Sequence, residues 1–367
     1  MQITRTDIYS IANGFLKFYK ALGYVEIQPD NIIQERDTTL TYTNSTIVPL
    51  KAELLKGIKG KGFVLLQPCL RLKNLKRNNF DSAFTSYFRM VGILSSPQLR
   101  ISDQAENIKD YFSKNLSIKP NEITIHYNDE TIELAKHFSK DFKFESNSFT
   151  AKFYNWKYGI ENVAGLGITF FIEKNKTSRE LGNFIEIKKD SKIIGYEFGF
   201  GIETCYGILN GIPDNFLTLF NSNENKKIND LFIALCVITE AAEAKEKISV
   251  FAEASLRKLR VELSYEFFKT KFEIRQMEKI EVSVFDISKA TVNKALQEIE
   301  NRVTNLVARE NELIDYVSYL TEQIKKTKSR KWAEGKLNEY IRKNNLNRIL
   351  QSSSNEKLKK LNIQFEI

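Results

Sequence analysis

From Thr6 to Leu22 the apolar positions Ile8, Ile11, Phe15, Phe18 and Tyr19 recur every three or four residues, the spacing of one face of an amphipathic helix. Gly23 closes that stretch, where a chain commonly leaves a helix through a left-handed turn. The pattern then changes to short runs of strand character, at Tyr24–Ile27, Thr39–Tyr42, Gly62–Leu66, Ser86–Met90, Glu122–His126, Phe149–Phe153, Gly167–Ile172, Phe184–Ile187 and Lys192–Phe200. Many strands with few long helices between them predict an α+β domain, a mostly antiparallel sheet flanked by helices. No G-x-G-x-x-G or G-x-x-x-x-G-K-[ST] string follows a strand, which argues against the doubly wound and phosphate-loop nucleotide folds.

The polar string that starts at Asn221 interrupts the pattern and reads as a linker over 221–229, dividing a domain of residues 1–220 from one of residues 230–367. Beyond it the pattern is helical. Asp230–Leu263 is rich in Ala, Glu, Lys and Leu, and Leu231–Ile238 reads as a core helix segment. From Val292 an apolar seam runs through Leu296, Ile299, Val303, Leu306, Leu313, Val317, Leu320 and Ile324, broken only at Glu310. A seam held over about four heptads predicts a long helix in a coiled coil or helical hairpin, paired within the chain or with a second copy as a homodimer.

Composition alters this picture little. With 367 residues, 42% hydrophobic and 28% charged, the chain suits a globular protein of two domains or so. No apolar run approaches the roughly 18 residues that span a bilayer, and the first residues carry no apolar leader segment. A cytoplasmic protein without a membrane partner is expected. Cys69, Cys205 and Cys236 show no C-x-x-C spacing, and His126 and His137 are the only histidines, so neither a disulfide framework nor a zinc site is expected. Charge changes the picture more. The net charge is +9, and the segment from Thr321 to Ile367 alone carries +7. Its densest cluster is Lys325, Lys326, Lys328, Arg330 and Lys331, suited to the phosphates of an RNA backbone, with a solvated helix face as the alternative.

Three stretches carry more specific chemistry. The first is Phe15–Tyr24 leading to Asp37-Thr-Thr-Leu-Thr-Tyr-Thr-Asn-Ser-Thr-Ile-Val-Pro-Leu-Lys51. The second is Gln67-Pro-Cys-Leu-Arg71 followed by Phe84-Thr-Ser-Tyr-Phe-Arg-Met-Val-Gly92. The third is Gly195-Tyr-Glu-Phe-Gly-Phe-Gly-Ile-Glu-Thr204. In order and spacing they resemble the class II signature of the alanyl-tRNA synthetase catalytic domain, and Asn155-Trp156 and Arg179–Glu186 resemble its amino-acid-pocket segments. The resemblance covers residues 1 to about 212. Residues 230–367 match neither the editing region nor the tRNA-binding region of that family, and the editing region's zinc ligands have no counterpart here.

The resemblance implies a class II synthetase-like sheet and a pocket for ATP with Mg²⁺ and a small amino acid. In it Arg71 would lie against the α-phosphate as the catalytic cation, its planar fork holding a phosphate oxygen and the substrate carboxylate together. Phe88, Arg89, Gly201 and Thr204 would border ATP. Trp156, Ile47, Glu197 and Gly199 would border the amino acid, with Glu197 accepting its ammonium group. Two positions depart from the family. The arginine that clamps the γ-phosphate is Thr204, and an acidic residue beside ATP is Arg89, a charge reversal expected inside the pocket. The readings that stay open are a ligase that forms an aminoacyl adenylate and passes it to tRNA or another acceptor, a lapsed pseudo-synthetase binding an amino acid, nucleotide or RNA as a partner subunit, and an assembly protein.

Overall fold

The computed structural model describes residues 5–37, 39–76, 84–138, 140, 142–146, 154–174, 177–220, 225–280, 282–326 and 329–365. The chain divides into two compact units, Met1–Ala252 with Ser283–Asp286, and Glu253–Val282 with Ile287–Ile367.

The first unit is built on nine strands: β1 (Val25–Glu26), β2 (Gly62–Leu70), β3 (Tyr87–Ser95), β4 (Ile123–Tyr127), β5 (Lys143–Ser146), β6 (Asn155–Lys157), β7 (Val163–Lys174), β8 (Thr177–Lys189) and β9 (Lys192–Gly201). They form one sheet in the order β1-β2-β3-β9-β8-β7-β4-β5, with β6 paired to β7. Only β1–β2 and β4–β5 run parallel, so the sheet is mixed and mostly antiparallel, as the strand-rich pattern predicts. Around it lie α1 (Arg5–Ala21), α2 (Lys51–Lys56), α3 (Ile101–Asn115), α4 (Ile132–Lys136), α5 (Ile202–Leu209), α6 (Asn215–Phe220) and α7 (Lys226–Glu243). The seam read at Ile8, Ile11, Phe15 and Tyr19 is buried, and Gly23 takes φ 92°, the left-handed exit that the pattern predicts.

The core on one sheet face is aromatic. Phe15 of α1 and Phe112 of α3 both meet Phe198 and Phe200 of β9, with ring centroids 5.5–6.5 Å apart. Alternation along β9 therefore turns Glu197, Gly199 and Gly201 to the opposite face. Two strand expectations fare differently. Thr39–Tyr42 makes a turn, because the Asp37 carboxylate accepts from both Thr39 N (2.9 Å) and Thr39 Oγ1 (2.6 Å), and only Tyr42 makes an isolated bridge to Ile33. Phe149–Phe153 lies outside the described residues.

The unit boundary falls later than the polar string at 221–229. Residues 221–224 are outside the description, and α7 begins at Lys226 with almost every apolar side chain buried, Leu231–Ile238 included. Asp230, which the composition placed in the second domain, is 1% exposed and accepts from Ser86 N (3.0 and 3.1 Å) and Ser86 Oγ (2.6 Å). The first helix past the linker therefore belongs with the sheet.

The second unit, which begins within α8 (Val250–Thr270), is helical. It contains α9 (Lys289–Lys326, 38 residues), α10 (Arg330–Lys343), α11 (Asn347–Ser352) and α12 (Glu356–Phe365). Leu306, Leu313, Val317 and Leu320 of the seam pack with Phe268, Leu337, Ile341, Ile349 and Leu358 of the same chain, so α9 buries much of its stripe intramolecularly. Glu310, which breaks the seam, is buried there as an acceptor for the Ser353 hydroxyl, and Lys271 Nζ lies 3.5 Å away. Ile324, at the end of the seam, is exposed. Among the described residues no helix is long and apolar enough to cross a membrane.

Candidate functional site

The sheet face turned away from α1 and α3 opens into a cavity of about 890 Å³, within the usual size range of ligand pockets. Arg71 stands directly after β2. Its Nε and Nη2 donate to the Asn44 carbonyl oxygen at 2.9 and 2.7 Å, and its guanidinium lies 4.8 Å from the centre of the Phe88 ring. A hydrogen-bonded, ring-stacked guanidinium has little freedom left, which is the condition for holding an anion in fixed geometry. The backbone is fixed as well: Arg71 N donates to Ser86 O at 2.8 Å, and Ser86 is the residue clamped by Asp230.

Glu197, Glu180 and Arg71 share this cavity. Glu197 is 7% exposed, and its carboxylate accepts from the Tyr158 hydroxyl (3.1 Å) and Thr46 Oγ1 (3.4 Å). Burial pushes its pKa up to about 7 while those hydrogen bonds and Arg71 pull it back. Burial also raises Glu180, opposed by Asn183 and Arg71. The Arg71 guanidinium is pulled below its ordinary value by burial, and Cys69, Glu180 and Glu197 act the other way. The place of Thr46 depends on two glycines paired across β3 and β9, Gly92 and Gly199. A Cβ on Gly92 would come within 2.6 Å of Thr46 Oγ1, and one on Gly199 within 3.3 Å. Their missing side chains make the notch in which Thr46 reaches Glu197.

Most residues singled out from the sequence come together here. Ile47, Arg71, Phe88, Trp156, Glu197, Gly199, Gly201 and Thr204 all border the cavity. Trp156, on β6, packs where Gly167 leaves room, since a Cβ there would meet its ring at 2.7 Å.

Arg89 is the exception. Alternation on β3 sends Phe88 and Met90 to the cavity and Arg89 to the helical face, where it is 0% exposed. There Nε donates to Glu203 Oε1 at 2.8 Å, Nη1 lies 3.6 Å from Asp286 Oδ2, and the guanidinium covers the Tyr9 ring. The charge reversal expected inside the pocket is instead one half of a buried ion pair behind it. Glu203, in turn, is held away from the cavity by Arg89.

The cluster assigned to RNA lies in the second unit. Lys325 and Lys326 end α9 and Arg330 and Lys331 open α10, all exposed, with Arg330 Nε 3.0 Å from Glu334; Lys328 lies outside the described residues. The cavity also contains groups given no individual role in the sequence reading: Tyr158, Arg179, Glu180 and Asn215, with Thr46 behind Glu197 as its hydrogen-bond donor. Tyr158 lies two residues past Trp156, and Arg179 and Glu180 fall within a pocket-like segment, so local sequence could have flagged these three. Nothing local marks Asn215. Among the described residues no group of three or more His, Cys, Asp or Glu side chains could hold a metal ion.

The chain joins a mostly antiparallel α+β sheet unit to a helical unit, and over more than half its length it is similar in sequence to alanine–tRNA ligases. In sequence the chain is similar to the alanine–tRNA ligase of Wolbachia pipientis wMel, 22% identical over 238 residues that cover 58% of this chain and 27% of that protein. The alanine–tRNA ligase of Coxiella burnetii (strain Dugway 5J108-111) is 20% identical over 236 residues, covering 55% and 27%. The match thus spans 27% of the length of these curated relatives. Among solved structures, aspartyl tRNA synthetase from Entamoeba histolytica is similar with a TM-score of 0.39 and 11% identity, covering 58% of this chain and 56% of that one. No protein-family model matches the chain.

Proposed function

We propose that the cavity binds ATP and a small amino acid and joins them as an aminoacyl adenylate, which is then passed to tRNA or another acceptor. The observation that carries this reading is the pairing, in one cavity, of a fixed guanidinium (Arg71) with a buried carboxylate of raised pKa (Glu197). A free amino acid presents a carboxylate and an ammonium group, and these two side chains are their complements. The substrate carboxylate attacks the α-phosphorus in line, an acyl O–P bond forms, and the P–O bond to the departing pyrophosphate breaks. Little acid–base help is needed, and positioning with charge neutralisation supplies the rate.

Arg71 holds an α-phosphate oxygen beside the attacking carboxylate. Glu197 takes the ammonium group, and Trp156 with Ile47 limits side-chain size. Mg²⁺ would arrive with the nucleotide, using phosphate oxygens and water with at most one pocket carboxylate, Glu180, which matches how this ion is commonly held. The place of Arg89 behind the sheet supports turnover, because the charge reversal does not touch the cavity. Thr204 favours the second reading, a pseudo-synthetase that binds these ligands without turnover.

Amino-acid-dependent ATP–pyrophosphate exchange across the common amino acids tests the proposal. We expect exchange with a small amino acid, reduced at least 100-fold in Arg71→Ala. No exchange with any amino acid rejects turnover. If a stable alanyl-adenylate analogue still binds, the pseudo-synthetase reading stands, and if it does not, both readings fail.

A further inference from the structure

Where the resemblance places an arginine, this chain has Thr204, and the structure brings another arginine to the same corner of the cavity. Arg179 lies on β8, where Phe170 pairs with Gly182 but Phe171 with Glu180, leaving Leu181 as an extra residue. A bulge of this kind re-aims the side chains around it, and both Arg179 and Glu180 border the cavity. The Arg179 guanidinium is seated by Nη2 donating to Asn215 Oδ1 at 2.5 Å and Nη1 donating to Ile212 O at 3.2 Å. The same Asn215 donates through Nδ2 to Thr204 Oγ1 at 3.1 Å, so one amide links the cation to the substituted position.

The seat is sterically specific. A Cβ on Gly207 would come within 2.8 Å of Arg179 Nη1, so a larger residue there would push the guanidinium from the position that the glycine leaves open to it. Asn215 Oδ1 and Ile212 O orient the guanidinium at this corner of the cavity. Arg179 is 9% exposed and Asn215 4%, so an anion that reached this corner would meet a largely desolvated, pre-oriented cation.

We propose that Arg179 is the second anion-binding cation of the cavity, binding the terminal phosphates of the nucleotide in place of the arginine replaced by Thr204. The inference rests on the nucleotide-binding reading above and adds where the polyphosphate end lies: toward β8 and α5, with Arg71 at the other phosphate. The positive charge has moved from the helix to the neighbouring strand, and Thr204 with Asn215 now supports it.

The test is calorimetric binding of ATP, AMP and a sulfamoyl analogue of alanyl adenylate to the full chain and to Arg179→Ala and Arg179→Gln. Gln keeps an amide donor for Asn215 and separates charge from hydrogen bonding. Both variants are expected to weaken ATP by 10- to 100-fold while AMP and the analogue, which lack the terminal phosphates, stay within threefold. Adding Thr204→Arg to Arg179→Ala is expected to recover at least part of the ATP affinity. Wild-type ATP affinity in both variants, or equal losses for all three ligands in Arg179→Gln, overturns the role of Arg179 and leaves the nucleotide reading intact. Failure of the unmodified chain to bind ATP overturns both.

Discussion

A carboxylate removed from water stays ionised only if its new surroundings replace the lost hydration. At Glu197 two hydroxyls and a nearby guanidinium do so incompletely, and the pKa rises to about 7. The unfolded chain releases that proton near the ordinary glutamate value, so between there and about 7 the folded protein holds a proton that the unfolded chain has lost. Stability from this site is therefore full at acid pH and is lost as pH rises through about 7, a change of roughly 3 kcal/mol. Glu197→Gln is expected to be more stable than the native chain at pH 8 and to flatten the curve, as denaturant midpoints from pH 5 to 8 would reveal. Binding runs the other way. The ionised form pairs with an ammonium group, so amino-acid affinity is expected to rise from pH 6 to 8 in the native chain and to lose that dependence in Glu197→Gln. Arg89 shows where reading by residue ends. Its charge is visible in the sequence, but the face it occupies is set by the partner Glu203, 114 positions away. Removing one member of a buried pair strands the other, so Arg89→Met is expected to cost about 3–5 kcal/mol in denaturant unfolding. The ligand affinity of the folded fraction is expected to stay within threefold.

Among the elements, the tie between α7 and the sheet unit through Asp230 and Ser86 leaves the least trace in the sequence. Alternation and glycine placement made β2, β3, β9 and α1 legible, because a buried face imposes its period on the residues themselves. By its polar first residues the start of α7 looks like the far side of a linker, yet Asp230 is polar for a purpose: it accepts from Ser86 N and Oγ within the sheet unit. That requirement lies 144 positions away and leaves no local signature. Glu310 is similar, a break in an apolar seam explained by Ser353, the residue that follows α11. The tie has a consequence for the site, since Ser86 O accepts from Arg71 N. Asp230→Ala leaves a buried N–H unmet and is expected to cost about 1–3 kcal/mol of stability. Pyrophosphate exchange is expected to fall with it. Arg71→Ala, by contrast, is expected to lose exchange with little change in unfolding midpoint. If Asp230→Ala keeps native exchange in its folded fraction, α7 does not position Arg71.

Over the whole molecule, charge and chemistry are segregated along the chain. The cavity is lined by residues of the first unit, whereas +7 of the net +9 lies between Thr321 and Ile367, in the second. Excess positive charge favours polyanionic partners, and the term is measurable because each neutralised phosphate releases a condensed counterion. If the tail engages RNA, the logarithm of affinity for unfractionated tRNA should fall linearly with the logarithm of salt concentration. The slope should correspond to about 0.7–0.9 per phosphate neutralised. Changing Lys325, Lys326, Arg330 and Lys331 together to Gln is then expected to lower that slope by about 3, somewhat less if Arg330 is already compensated by Glu334. Exchange at the cavity is expected to be unchanged, because none of the four borders it. An unchanged slope would assign the four cations to a solvated helix face. Fluorescence anisotropy between about 50 and 200 mM salt spans the range over which a contact of this kind changes affinity by orders of magnitude.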